Sequence, residues 1–158
     1  MNKNKNKKKL KINRKWSYSI SIGLSAGFIW GIYFLSVYLL KFSKIGPSFL
    51  SKPLINPEYI TKWQGQLVGI VIFILFTIIS ALVYTLLFSR FKGPAFGVLY
   101  GAILWVFIFY ILNPLFNLTL SVKELGLYTN SVMISLFILT GFFIGYSISI
   151  ELNSIDKS

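Results

Sequence analysis

The chain contains no cysteine and no histidine among its 158 residues. These two absences exclude a disulfide framework, a metal site of thiolate or imidazole ligands, and a nucleophile activated by an imidazole base. Acidic residues are also scarce, with four Asp and Glu against 16 Lys and Arg, so the net charge is +12. Charged residues make up 13% of the chain, whereas a soluble domain carries about 25%. This composition excludes an ordinary soluble domain.

The sequence is instead rich in apolar residues, at 55% of the chain with a mean hydropathy of +0.70. About 20 apolar residues at 1.5 Å per residue cross a hydrocarbon layer of ~30 Å. Four charge-free stretches of about this length predict an all-α integral membrane bundle of four transmembrane helices. The predicted spans lie at about 17–40, 66–88, 94–112 and 130–150. Span one exceeds the apolar region of a cleaved signal peptide, so we interpret it as a signal anchor.

Eight of the basic residues lie within the first fifteen positions. Like charges repel, and cations at a helix N-terminus oppose the macrodipole, so residues 1–16 are predicted to be a disordered basic tail. The tail is expected to contact anionic lipid headgroups through its cations. The residues assigned to this contact are Lys7, Lys8, Lys9, Lys11, Arg14 and Lys15. Nucleic-acid binding is not expected, because no aromatic interleaving or folded module accompanies the run.

The distribution of lysine and arginine predicts the orientation. With the N-terminus in the cytoplasm, eleven basic residues lie on the cytoplasmic side and five on the other. The positive-inside rule then favours cytoplasmic placement of both termini, including the short tail 151–158.

Proline marks the connecting segments. Three prolines between residues 41 and 65 forbid a continuous helix there. Asn56-Pro57-Glu58 has the pattern of a helix start, so the second helix is predicted to begin near Pro57. Asn113-Pro114 is predicted to end the third span. Residues 113–129 are expected to hold at most one short surface helix, at the capping-box pattern that begins with Ser121.

Glycines recur at four-residue spacing in the spans. Residues four apart share a helix face, and small residues let helix backbones approach closely in lipid. These rows are predicted to build the helix bundle, with the alternative that one of them mediates homo-oligomerisation. The predicted packing residues are Gly23, Gly27 and Gly31 in span one, Gly69 in span two, Gly93, Gly97 and Gly101 in span three, and Gly141 and Gly145 in span four.

The spans contain no ionisable residue on which transport or proton transfer usually depends. All four carboxylates lie in predicted loops or the tail, and no pair has the spacing of a metal site or an acid/base pair. We therefore predict no catalytic, cofactor-binding or metal-binding residue. Hydroxyl groups within the spans are expected to bond their own helix carbonyls, with a polar pathway as the alternative.

Several segments of the chain form a recognisable set. They are Gly27-Phe-Ile-Trp30-Gly31, Trp63-x-Gly-Gln-Leu-Val-Gly69-Ile, Phe91-Lys92-Gly93 with Gly97-Val-Leu-Tyr-Gly101 and Trp105, Asn113-Pro114-Leu-Phe116, and Gly141-Phe-Phe-Ile-Gly145-Tyr-Ser-Ile-Ser149-Ile-Glu151. In these segments the chain resembles the YqhR family of small membrane proteins from Bacillus-like bacteria. The resemblance covers roughly residues 23–151 and implies a four-span protein of the bacterial cytoplasmic membrane. It implies no activity, substrate or catalytic residue.

Two function classes follow from these observations. The first is a non-enzymatic scaffold or accessory protein that associates with a membrane-protein partner or with copies of itself. The alternative is a small transporter or channel component, which would act as an oligomer because four helices enclose little space.

Overall fold

The computed structural model describes the backbone of residues 2–88 and 94–157, and the side chains of residues 12–88 and 95–151. Helices make up nearly all of the described backbone, which contains no strand. A 3-10 helix covers Pro47–Ser51 and a π-helical segment covers Phe107–Leu112. The α-helices are α1 at Asn2–Leu39, α2 at Pro57–Ile60, α3 at Trp63–Phe88, α4 at Pro94–Val106, α5 at Asn113–Phe116 and α6 at Val122–Lys157.

Four helical stretches are long and apolar enough to cross a membrane, which confirms the predicted fold class. They are Ile12–Leu39, Trp63–Phe88, Ala95–Phe116 and Val122–Glu151. The third stretch combines α4, the π-helical segment and α5 into one continuous helical rod.

The N-terminal segment differs from the predicted disordered tail. In the structure, α1 begins at Asn2 and includes the basic N-terminal segment, so residues 2–16 are helical. Adding residues to an existing helix costs far less than nucleating one, and lysine has a good helix propensity. Repulsion between like charges four residues apart in a helix costs only about 0.2–0.5 kcal/mol per pair.

The spanning helices form two antiparallel pairs. In the first pair, Gly23 contacts Ile78 of α3 and Gly27 contacts Ile74, so the numbering rises along α1 as it falls along α3. The second pair, α4 and α6, shows the same opposed progression through its glycines. A layer of large aromatic rings joins the two pairs, including Phe73 of α3 against Phe137 of α6 at 6.3 Å between ring centroids. Small residues thus bring the helices of each pair together, and rings fill the space between the pairs.

The third span does not end at Asn113-Pro114, contrary to the prediction. The backbone N–H of Asn113 bonds the carbonyl of Ile108, five residues back, within the π-helical turn. A wider turn leaves room for a proline ring that would clash with the carbonyl four residues back in an α-helix. The helix therefore continues to Phe116 and stops at Asn117, whose φ of 48° is left-handed.

The segment between α1 and α3 is folded rather than extended. The 3-10 helix begins at Pro47, and α2 is a single turn at Pro57–Ile60 that ends before α3 begins at Trp63. The prediction that the second spanning helix starts near Pro57 is therefore wrong, although a helical turn does begin there. Near the fourth span, one turn from Val122 precedes Gly126, whose φ of 80° breaks the helix before it continues across the membrane.

Candidate functional site

The glycine row of α1 lies against α3. A Cβ atom on Gly27 would lie 2.6 Å from the Cα of Ile74, so the two backbones are in direct contact. Gly31 lies at a looser point, where a Cβ would meet only side-chain atoms of Ile70 and Phe73, at 3.3 and 3.6 Å. This row is occupied by a helix of the same chain.

The glycines of α4 and α6 contact one another. A Cβ on Gly97 would lie 2.8 Å from the carbonyl oxygen of Gly141, and one on Gly145 would lie 2.6 Å from the Cα of Gly97. Gly101 lies against the backbone of Phe137 and Ile138. Gly93 lies outside the described residues. The contact between α4 and α6 is therefore one of backbone on backbone, the closest kind of helix approach.

Gly69 serves a different contact from the one predicted. Its nearest neighbours are backbone atoms of Pro47 and Ser48, which belong to the 3-10 helix and not to another spanning helix. The glycine makes room for the connecting segment to fold down onto α3. A glycine in a row of small residues can pack against a spanning helix or against a connecting segment, and the sequence does not distinguish these two contacts.

The predicted lipid-contact residues are only partly described. The side chains of Lys7, Lys8, Lys9 and Lys11 lie outside the described residues. Arg14 is exposed, with its guanidinium carbon 5.8 Å from the ring centre of Tyr18 one turn later. Lys15 is partly buried, and its carbonyl accepts a hydrogen bond from Ser19 at 2.9 Å.

Hydroxyl groups within the bundle mostly bond inside their own helix, with two exceptions. Thr85 and Thr140 donate to carbonyls four residues earlier, at 2.9 and 2.7 Å. The hydroxyl oxygens of Ser19 and Thr85 also lie 2.6 Å apart between α1 and α3, and since each hydroxyl has one proton, one of them donates to the other in place of its own helix carbonyl. Ser80 donates to the Tyr100 hydroxyl, which donates to the Ser80 carbonyl, at 2.9 and 2.8 Å. Both pairs lie inside the bundle, because all four of their side chains are buried.

Four polar side chains of the bundle are used to hold the connecting segments. We call the segments 40–62 and 117–126 together the loop cap. The first attachment is that of Gln66 near the start of α3, whose amide nitrogen donates to the Ser48 hydroxyl at 2.9 Å. Its amide oxygen accepts the backbone N–H of the same serine at 3.2 Å. Gln66 is buried, so both bonds are shielded from water.

Asn113 fastens the second half of the loop cap. Its amide oxygen accepts the backbone N–H of Thr119 at 2.8 Å, and its amide nitrogen donates to the carbonyl of Leu120 at 3.1 Å. Two residues of α6 complete the set. Thr129 accepts the backbone N–H of Lys44 at 3.2 Å, and Asn130 donates to the carbonyl of Val122.

The sequence predicts none of these four roles. Asn113-Pro114 has only the pattern of a helix stop, and no motif distinguishes Gln66, Thr129 or Asn130. A polar amide at the end of a charge-free span was the available signal, because a buried amide requires a partner.

Two clefts flank the loop cap. One has a volume of about 540 Å³ and lies beside the π-helical segment, between Tyr110 and the turn at Lys123 and Glu124. The other has a volume of about 400 Å³ and lies between the 3-10 helix and the segment 117–120, with Lys44 and Lys52 in its lining. Asn117, Thr119 and Leu120 line both clefts and form the wall between them.

No group of three carboxylate, imidazole or thiolate side chains that could hold a metal occurs among the described side chains. Glu124 accepts hydrogen bonds from the backbone N–H and the hydroxyl of Ser121, at 2.9 and 2.7 Å. The Glu124 carboxylate therefore caps the start of the helical turn that begins at Val122, which is a structural role.

A family model and a curated protein match this chain, and both have the same family name. A family model described as conserved membrane protein YqhR matches residues 1–158. A protein of Bacillus subtilis (strain 168), named uncharacterized protein YqhR, is 34% identical over 135 residues. That alignment covers 85% of this chain and 76% of the relative. No solved structure matches the chain. The resemblance noted in the sequence is confirmed: the chain belongs to the YqhR family of conserved membrane proteins.

Proposed function

We propose that this protein is a non-enzymatic scaffold or accessory protein of the bacterial cytoplasmic membrane, and that its loop cap is the surface presented to a membrane-protein partner. The observation that carries the proposal is the attachment of the loop cap to the bundle. Gln66, Asn113, Thr129 and Asn130 all bond backbone groups of the connecting segments.

The physical argument is one of preorganisation. A connecting segment on a protein surface can satisfy its backbone groups with water and remain mobile. Here side chains rooted in the helices fix the segments, so less conformational entropy is lost when a partner binds. A rigid, shaped surface is useful for recognition and is not needed merely to join helices.

The charge distribution supports an orientation with both termini in the cytoplasm. Eleven basic residues then lie on the cytoplasmic side and five on the other, as the positive-inside rule prefers. In this orientation the loop cap faces the extracytoplasmic side, where a partner would have to meet it.

The alternative, a small transporter or channel component, receives less support. The buried hydroxyls of Thr85 and Thr140 bond carbonyls of their own helices, which leaves them less available to line a polar pathway. The glycine rows of α1 and α4 contact helices of the same chain, so an oligomer would have to use other faces.

Site-specific photo-cross-linking in native membranes tests the proposal. A benzophenone amino acid is placed in the full chain at Leu120 in the loop cap or at Leu75 on the bundle surface, both of which are exposed. We expect one membrane protein to be captured from Leu120 and not from Leu75. In a Gln66→Ala background the capture should fall, whereas the neighbouring change Gln64→Ala should leave it intact, since Gln64 is exposed.

Three outcomes would contradict the proposal. They are capture from Leu75 alone, absence of any protein adduct, and capture that is unchanged by Gln66→Ala. Ion or solute flux through liposomes that contain only the purified protein would favour the transporter instead.

A further inference from the structure

The smaller cleft of the loop cap collects positive charge. Lys44 and Lys52 both line this cleft of about 400 Å³, and no carboxylate side chain does. Both lysine side chains are exposed. The larger cleft differs in this respect, because Lys123 and Glu124 both contribute to its lining.

The cleft lies at the ends of two spanning helices. Tyr38, in the last turn of the first span, and Thr61, two residues before α3 begins, are both part of its lining. The same connecting segment, 40–62, also has strongly exposed apolar side chains, including Leu40, Phe42 and Leu54. This combination of charge, hydroxyls and apolar surface is the one that meets lipid headgroups at a bilayer boundary.

The lysines of the loop cap are not neutralised by the chain itself. Five lysines and two glutamates belong to the loop cap, so the loop cap has an excess of three positive charges. The Lys44 ammonium donates to the backbone carbonyl oxygen of Glu124, at a long 3.4 Å. A cleft that is lined by two lysines and by no carboxylate favours an anionic ligand.

We infer that this cleft binds the phosphate headgroup of an anionic phospholipid. Lys44 and Lys52 supply the charge, and the hydroxyls of Tyr38 and Thr61 are available as hydrogen-bond donors to phosphate oxygens. The exposed Leu40 and Phe42 lie four and two residues before Lys44 in sequence and offer apolar surface for the acyl chains. The site is separate from the basic N-terminal segment, and it requires no protein partner, so it goes beyond the proposed scaffold role.

Lipid titration of the purified full chain tests the inference. The probe is short-chain phosphatidylglycerol, added to protein in an uncharged detergent and followed by native mass spectrometry. The test variant is Lys44→Gln with Lys52→Gln. The matched control is Lys41→Gln with Lys62→Gln, which removes two exposed loop-cap charges that line neither cleft. Binding to the N-terminal lysines is common to all forms and cancels in the comparison.

We expect the cleft variant to bind phosphatidylglycerol roughly 10-fold or more weakly than the control variant, since two headgroup contacts are lost. Thermal unfolding without lipid should match between the two variants, because both sets of side chains are exposed. If the cleft variant nevertheless misfolds, Lys52→Gln alone is compared with Lys62→Gln, and a several-fold difference is expected.

Four results would overturn the inference. Equal losses in the two double variants would show diffuse surface charge instead of a site. Equal binding of phosphatidylcholine would remove the requirement for an anion. Glycerol phosphate that binds as tightly as the lipid would assign the cleft to a soluble phosphate compound. Equal affinities of Lys52→Gln and Lys62→Gln would exclude Lys52 from the contact.

Discussion

Gln66 holds Ser48 by two hydrogen bonds at once, one to the hydroxyl at 2.9 Å and one from the backbone N–H at 3.2 Å. The glutamine is rooted in a spanning helix, and the serine lies in the 3-10 helix of the loop cap. Both residues are buried. This single pair therefore couples the position of the loop cap to the membrane bundle.

Gln66→Ala should release this attachment. The change leaves the buried N–H and hydroxyl of Ser48 without their partner, at an expected cost of about 1–3 kcal/mol in free energy of unfolding. Thermal unfolding in detergent measures the loss, and hydrogen exchange at residues 48–51 should accelerate. Gln64→Ala, on the exposed side of the same helix turn, is the control. Equal exchange rates in the two variants would show that the glutamine does not hold the loop.

Gly101→Ala should be more damaging than Gly31→Ala. A Cβ on Gly101 would lie 2.7 Å from the Cα of Ile138, so two helix backbones must separate, at a cost of about 1–3 kcal/mol. At Gly31 the contacts are flexible side-chain atoms at 3.3 Å or more. Alanine is also favoured over glycine inside a helix by up to about 1 kcal/mol. Folded yield and thermal unfolding rank the two variants.

The same pair of variants tests the oligomer hypothesis for the glycine rows. Because both glycines face helices of the same chain, neither change should alter the oligomeric state of the protein that still folds. A dissociated but well-folded Gly101→Ala variant would contradict this placement.

Asn117→Val should destabilise the end of the third spanning helix, whereas Asn117→Gly should be tolerated. Asn117 has a φ of 48° and a ψ of 46°, in the left-handed region that asparagine and glycine adopt far more readily than valine. We expect the valine variant to lose about 1–2 kcal/mol in free energy of unfolding, and the glycine variant to change by less than about 0.5 kcal/mol. Equal effects of the two substitutions would assign the loss to the missing amide side chain instead of the backbone.

The membrane architecture could be predicted because its signals are local. Hydropathy over a window of about 20 residues identifies a spanning helix without reference to any other part of the chain. The four-residue glycine spacing in α1 similarly identifies one face of one helix. Proline signals were less reliable. Asn113-Pro114 has the sequence of a helix stop, yet a π-helical turn accommodates the ring and the helix continues to Phe116.

The attachment of the loop cap could not be predicted because it depends on distant partners. Asn113 contacts residues six and seven positions away, but the partner of Thr129 is Lys44, 85 positions earlier. No periodicity or composition links such residues. The sequence shows a polar side chain near the end of a span, and only the packing of helices determines which backbone group it meets.

The sequence by itself determined that this chain forms four apolar helices with small residues at regular intervals, because hydropathy and periodicity belong to each segment alone. The tertiary structure decided what each small or polar residue faces. Gly97 meets another glycine of α6, whereas Gly69 meets the folded connecting segment. The physical reason is that close approach and hydrogen bonding are properties of pairs, and the second member of each pair is chosen only when the helices assemble.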